Sequence, residues 1–178
     1  MSMLRRRLMI IPYIEFADPN VGAICAQKWG SGGRITYAQA AAVTDIGTEF
    51  KGNTVITSFD ELRHFTGLTS IPNDAFRGCT ALVSIVFPDT VTTIGSSAMR
   101  DSSVSHITVG SGCTDIGLYW LNGTTSQDIT IVCKAVVPPD LSTKLASKVK
   151  RVYVPAGSVS DYEAIPDWSQ YPQILPIT

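Results

Sequence analysis

The sequence predicts an α/β repeat solenoid: a short stack of four to five rungs, closed by a helix-loop-helix cap at the N-terminus and a second cap at the C-terminus. Three observations predict it. One apolar pattern recurs, with Ile71, Ala75, Phe76, Leu82, Ile85 and Val91 returning as Ile94, Ala98, Met99, Val104, Ile107 and Cys113 at offsets of 22 or 23 residues. A unit of that length cannot bury its own apolar face and must stack on its neighbours. Short strand-like runs, SIVFP, HITVG and ITIVC, then follow one another down the chain. Helix-capping signals stand before the repeats, and a proline- and aromatic-rich segment stands after them.

The register extends beyond the two clear copies. Ile116-Gly117, Trp120 and Leu121 continue it forward, and Leu62 and Leu68 fall on it backward. Strand runs at 129–133 and 152–154 end the series. With strands spaced roughly 4.8 Å apart, such a stack is only about 20–25 Å long.

Bulk composition narrows the function classes. Fourteen basic and 15 acidic residues leave a net charge of −1, so there is no electrostatic footprint for nucleic acid outside one small basic cluster. Charged residues make up 16% of the chain, and a neutral surface rich in Ser, Thr and Gly is the kind found on extracellular and virion proteins. Cys25, Cys79, Cys113 and Cys133 form no CxxC pair and have no histidine at metal-ligand spacing, so they read as buried small hydrophobes. A disulfide between stacked repeats is the other reading, open in an oxidising compartment.

Taken in order, residues 1–14 carry three arginines and a short apolar run broken by Pro12. The run is too short to cross a membrane. Glu15 and Asp18 follow where a secretory signal would have a small-residue cleavage site, so a signal peptide is not expected. Arg5, Arg6, Arg7, Leu8, Ile10, Ile11 and Tyr13 are expected to anchor the chain on a partner or on the first cap. A strand folded back on the N-terminal module is the alternative.

Residues 15–50 read as helix-loop-helix. Asp18 caps a helix that starts at Pro19 and carries Val21, Ile24 and Cys25 on one stripe. Trp29 and the glycines at 30–33 end it. Thr36 and Gln39 form a capping-box pair for a second helix running to about Val43. The module resembles a calcium EF-hand with its ligands erased: the loop lacks alternating oxygen ligands, and Gln39 or Ala40 stands where a bidentate glutamate belongs. No metal or other cofactor is therefore expected.

The solenoid occupies residues 51–137. Each unit is read as a short helical or turn segment (DAFRGC, SAMRDS, LYWLNG) followed by a strand, with helical elements on one side of the stack and parallel strands on the other. Residues 138–178 hold the last rung and the closing cap, with a helix expected over 142–149, a turn and helix over 155–165, and Trp168 and Tyr171 covering the open end.

At this level the units NDAFRGCTALVSIVFPDTVTTIG and SSAMRDSSVSHITVGSGCTDIG resemble BspA-like leucine-rich repeats, whose usual form is an AFxxCxxLxxIxxPxxVxxIGxxAF cycle. The lead-in TDIGTEFKGNTVITSFDELRHFTGLTSI is similar to the entry segment of such proteins from gut Bacteroides. The tail beginning VCKAVVPPDL is similar to their closing segment. The resemblance covers residues 15–178 and implies a leucine-rich-repeat solenoid. It also implies surface adhesion and binding, and similar segments occur in virion proteins of phages that infect these bacteria.

No catalytic pattern accompanies it: GxSxG, HExxH, Walker and Rossmann glycine patterns are all missing. His64 and His106 read as structural or surface groups, and Asp60 and Glu61 as solvated or capping carboxylates. Trp120 reads as packing, not as a sugar platform. Strand alternation instead turns Val86, His106, Thr108, Arg151 and Tyr153 outward, a candidate binding face whose bland alternative is an ordinary solvated sheet. The expectation is a non-enzymatic structural and interaction protein of a phage virion, a decoration or fibre component anchored by its N-terminus within an oligomer. Its partners would be other structural chains and a host surface protein or glycan, with neither nucleic acid nor membrane insertion. A secreted or cell-surface bacterial adhesin module is the alternative.

Overall fold

The computed structural model describes residues 12–142 and 148–178. Through them the chain steps back and forth between two parallel sheets. One sheet has six strands: β1 (Ser58–Phe59), β3 (Ser84–Val86), β5 (His106–Val109), β7 (Ile129–Cys133), β9 (Val149–Val154) and β10 (Ile174–Pro176), in that order. The other has four: β2 (Ser70–Ile71), β4 (Thr93–Ile94), β6 (Asp115–Ile116) and β8 (Asp140–Leu141). Up to β9 the strands alternate strictly between the two, so each repeat contributes one strand to each sheet.

The apolar repeat sets the register. Ile85, Ile107, Ile131 and Val152 are successive partners across the first sheet, and Ile71, Ile94, Ile116 and Leu141 across the second. Every one of these but Leu141 is buried, and Leu141 packs against the same core. Burying one such side chain is worth roughly 1.5–3 kcal/mol, and a one-residue slip would turn the whole row out to solvent. The core is one continuous column between the sheets.

The segments read as helical or turn are turns, so no helices line the side of the stack opposite the six-stranded sheet among the described residues. Residues 73–78, 96–101 and 118–123 form successive turns in the same place on three rungs. Two backbone positions in each explain why. The first is occupied by Asp74, Ser97 and Tyr119, with φ of 59°, 57° and 58°, and the second by Gly78, Asp101 and Gly123, with φ of 74°, 58° and 73°. A right-handed helix cannot pass through left-handed residues, so among the described residues α-helices occur only in the terminal regions. The turns hydrogen-bond rung to rung instead: Phe76 N–H donates to Ala98 O at 2.7 Å and Met99 N–H to Trp120 O at 2.8 Å.

Stacking this close requires glycine after β4 and β6. A Cβ on Gly95 would lie 2.6 Å from Asn73 N and 2.7 Å from Ile71 O, and one on Gly117 would lie 2.6 Å from Ser96 N. A further slot takes a small polar group facing the core: Cys79 Sγ donates to Phe50 O at 2.9 Å, Ser102 Oγ donates to Met99 O at 2.7 Å, and Thr124 fills the same place.

Both ends are covered. At the N-terminal end α1 (Pro19–Trp29) is capped by Asp18, and α2 (Tyr37–Ala41) by the Thr36/Gln39 capping box, ending two residues short of Val43. Between them Ser31 and Arg34 bridge across Gly32 and Gly33, both at positive φ, which makes a tight reversal. Aromatic rings join this unit to the stack: Phe50 lies 5.0 Å from Phe59 and 5.4 Å from Phe76, and Trp29 lies 5.9 Å from Phe65. At the other end are α3 (Val159–Ala164) and α4 (Pro166–Ser169). The Tyr162 hydroxyl donates to Ala135 O at 2.8 Å and Trp168 Nε1–H donates to Pro139 O at 2.9 Å, so two aromatic residues satisfy carbonyls of the last rungs. Of the helix expected over 142–149, residues 143–147 lie outside the described region, and Val149 opens β9 instead. Among the described residues no helix is long and apolar enough to cross a membrane.

Candidate interaction surface

The outer face of the six-stranded sheet is built by alternation. In β3, β5, β7 and β9 the buried residues Ile85, Ile107, Val109, Ile131, Cys133, Val152 and Val154 point into the core, leaving the residues between them outside. Parallel register then lines the outer residues into two rows across the strands. Ser84, His106, Thr130 and Arg151 form one, and Val86, Thr108, Val132 and Tyr153 the other, with Leu175 of β10 extending the second. The first row is polar and the second mainly apolar.

The rows enclose a shallow groove of about 190 Å³, whose walls include Asp60 at one end and Thr130 and Val132 at the other. His106 is exposed, and its Nδ1 lies 2.9 Å from Ser105 Oγ, which fixes the ring. Arg151 is held against the sheet: NH1 donates to Thr130 Oγ1 at 3.3 Å and NH2 to Asp128 Oδ2 at 2.7 Å. Its charge is therefore largely matched within the protein.

All five residues picked out by alternation, Val86, His106, Thr108, Arg151 and Tyr153, lie in these two rows. Alternation did not bring in Thr130, Val132 or Asp60. The first two sit at an offset of 24 residues from His106 and Thr108, outside the 22–23 arithmetic, although ITIVC shows the same alternation. Asp60 reaches the groove from the 3-10 turn Asp60–His64, which no periodicity marks.

Other sequence candidates resolve differently. Glu61 is not solvated: it is buried, and its Oε1 accepts the Ala17 N–H at 3.2 Å, tying the first rung to the cap. His64 packs edge-on against Tyr37 at 4.9 Å, and burial together with the Arg63 charge lowers its pKa despite Glu61. Trp120 is core, 1% exposed. The four cysteines are free and buried. Among the described residues no three His, Cys, Asp or Glu side chains are grouped as a metal would need. Of the proposed anchor, Arg5, Arg6, Arg7, Leu8, Ile10 and Ile11 lie outside the described residues. Tyr13 is bridged to Thr36 under the Arg34 guanidinium, 5.2 Å from its ring centroid, and Ile14 N–H donates to Ile35 O at 3.0 Å.

The family model for the BspA type leucine rich repeat region matches residues 46–137 in six copies, 92 of the 178 residues. The chain belongs to the BspA-type leucine-rich-repeat family. The match covers the turns and all of both core rows except their last members, Val152 and Leu141, and it places this BspA-type protein in a repeat class of protein–protein interaction modules. No curated protein matches the chain.

Proposed function

We propose that this BspA-type repeat protein is a non-enzymatic display protein of a virion, a decoration or fibre component. Its N-terminal segment holds it to other structural chains, and the outer face of the six-stranded sheet is offered to a host surface. The observation that carries the reading is the pair of register-aligned outer rows, polar beside apolar, running across β3, β5, β7 and β9. A rigid, capped stack holds those side chains in fixed places, as a recognition surface requires. The low charge and the resemblance to segments found in phage virion proteins support the virion setting.

Sedimentation of the full chain beside one lacking residues 1–11 tests the anchoring. The deletion stops at Ile11 because Tyr13 and Ile14 hold the cap. The reading expects the full chain to assemble and the shortened one to remain monomeric at an unchanged Tm. Two monomers of equal stability would favour a secreted or cell-surface adhesin displaying the same face.

A further inference from the structure

We infer that the outer sheet face binds an extended, uncharged, β-1,4-linked glycan laid across the strands, about one sugar to each rung. This rests on taking that face as the binding surface.

The first argument is spacing. Adjacent strands repeat every 4.7–4.9 Å or so, whereas an extended peptide advances roughly 3.3–3.4 Å per residue and alternates its side chains. A peptide crossing the strands falls out of step within two rungs. An equatorially linked sugar chain advances by close to one rung per residue, and although successive sugars are turned over, each still brings a hydroxyl-bearing rim and C–H faces to its rung.

The second is the pairing of the rows. A pyranose presents hydroxyls at its rim and C–H groups on its faces. The polar row supplies Ser84, His106 and Thr130, and the apolar row beside it supplies Val86, Val132 and the Tyr153 ring. Because Ser105 Oγ engages His106 Nδ1, Nε2 is the ring nitrogen available to a ligand hydroxyl. Tyr153, between Val132 and Leu175 in register, gives one end of the strip an aromatic platform.

The third is charge. The Arg151 guanidinium is matched by Asp128 at 2.7 Å, and Asp60 stands at the other end of the groove. No uncompensated positive charge remains among these groove residues to hold a polyanion, and the polar row is complementary to hydroxyls instead.

The test is calorimetric titration of the full chain with cellohexaose and xylohexaose, beside cellobiose, hexagalacturonate and an uncharged Ser/Thr peptide. At least one neutral hexasaccharide should bind, with cellobiose at least tenfold weaker and the uronate and the peptide weaker still. Thr108→Arg, which fills the groove, and Tyr153→Ala, which removes the platform, should each lose at least tenfold in affinity at unchanged Tm. Failure of both hexasaccharides to bind, or equal binding by the variants, overturns the inference. Retention of the same variants on whole bacterial cells then separates the two readings. Loss of retention without glycan binding leaves the face as the binding surface for another ligand, and wild-type retention removes the face itself.

Discussion

Asp18 and Thr57 are joined twice: the Asp18 carboxylate, already the N-cap of α1, accepts both the Thr57 N–H and the Thr57 hydroxyl, the latter at 2.9 Å. One buried side chain thus starts the cap helix and fastens it to the segment that enters the first rung. Burial would raise its pKa, but the hydrogen bonds from Thr57 and Asn20 outweigh that and hold the carboxyl below its ordinary value. Asp18→Ala should cost about 2–3 kcal/mol, since it removes a helix cap and hydrogen bonds to a charged acceptor.

The same carboxylate makes a pH prediction. A folded-state pKa lower than the unfolded one contributes stability that is present above the unfolded value, about 3.9, and is lost as pH falls through the folded value. Melting curves between neutral pH and pH 2 should therefore show a loss of stability in acid that is smaller in Asp18→Asn than in the parent. Parallel curves for the two proteins would contradict this.

Gly95 and Gly157 make a matched pair for substitution. A Cβ on Gly95 meets the backbone of the preceding rung at 2.6 Å, whereas one on Gly157 meets nothing within 4 Å. Gly95→Ala should destabilise by roughly 2–3 kcal/mol, because backbone atoms cannot swing aside as a side chain can. Gly157→Ala should change stability by under about 0.5 kcal/mol. Denaturant midpoints of the two variants check the difference.

Ser97 holds a left-handed conformation of the kind that Gly78 adopts at no steric cost in the turn of the preceding rung. Ser97→Gly should stabilise by about 0.5 kcal/mol, a rise of roughly 1–2 °C in Tm for a chain of this length. Gly78→Ala should do the opposite, by about 1 kcal/mol.

The thiols should be silent in the native protein. Burial raises the pKa of Cys25 to about 12, with the Glu61 charge adding to it, and that of Cys79 to about 11, so few thiolates exist near pH 8. Thiol labelling should be negligible until denaturant unfolds the chain, and then reach all four cysteines. Rapid labelling of the folded protein would show that the column opens locally.

The core was legible because its signal is periodic. Offsets of 22 and 23 residues place Ile85 over Ile107 and Ile71 over Ile94, and the structure pairs those residues. Asp18, Thr36 and Gln39 were equally readable, since capping is local chemistry. The second sheet was not, because its strands are two residues long and SI, TI and DI are too short to show an alternation. Composition left helix and turn both open for DAFRGC and SAMRDS, and the sign of φ at Asp74 and Ser97 decides for the turn. On the outer face, alternation named residues strand by strand. The reach of Asp60 into the groove and the hold of Asp128 on Arg151 depend on tertiary geometry.

The most direct test places the same charge on two adjacent residues of β5. Ile107 is 1% exposed in the core column and Thr108 stands on the outer face, so the face exists only if this register is right. Thermal melting of Ile107→Asp should show no cooperative native transition, because an unpaired carboxylate would be buried. Thr108→Asp should melt within about 4 °C of the parent, a cost near 1 kcal/mol. Equal losses, or a stable Ile107→Asp beside an unfolded Thr108→Asp, would contradict the register and with it the interaction surface.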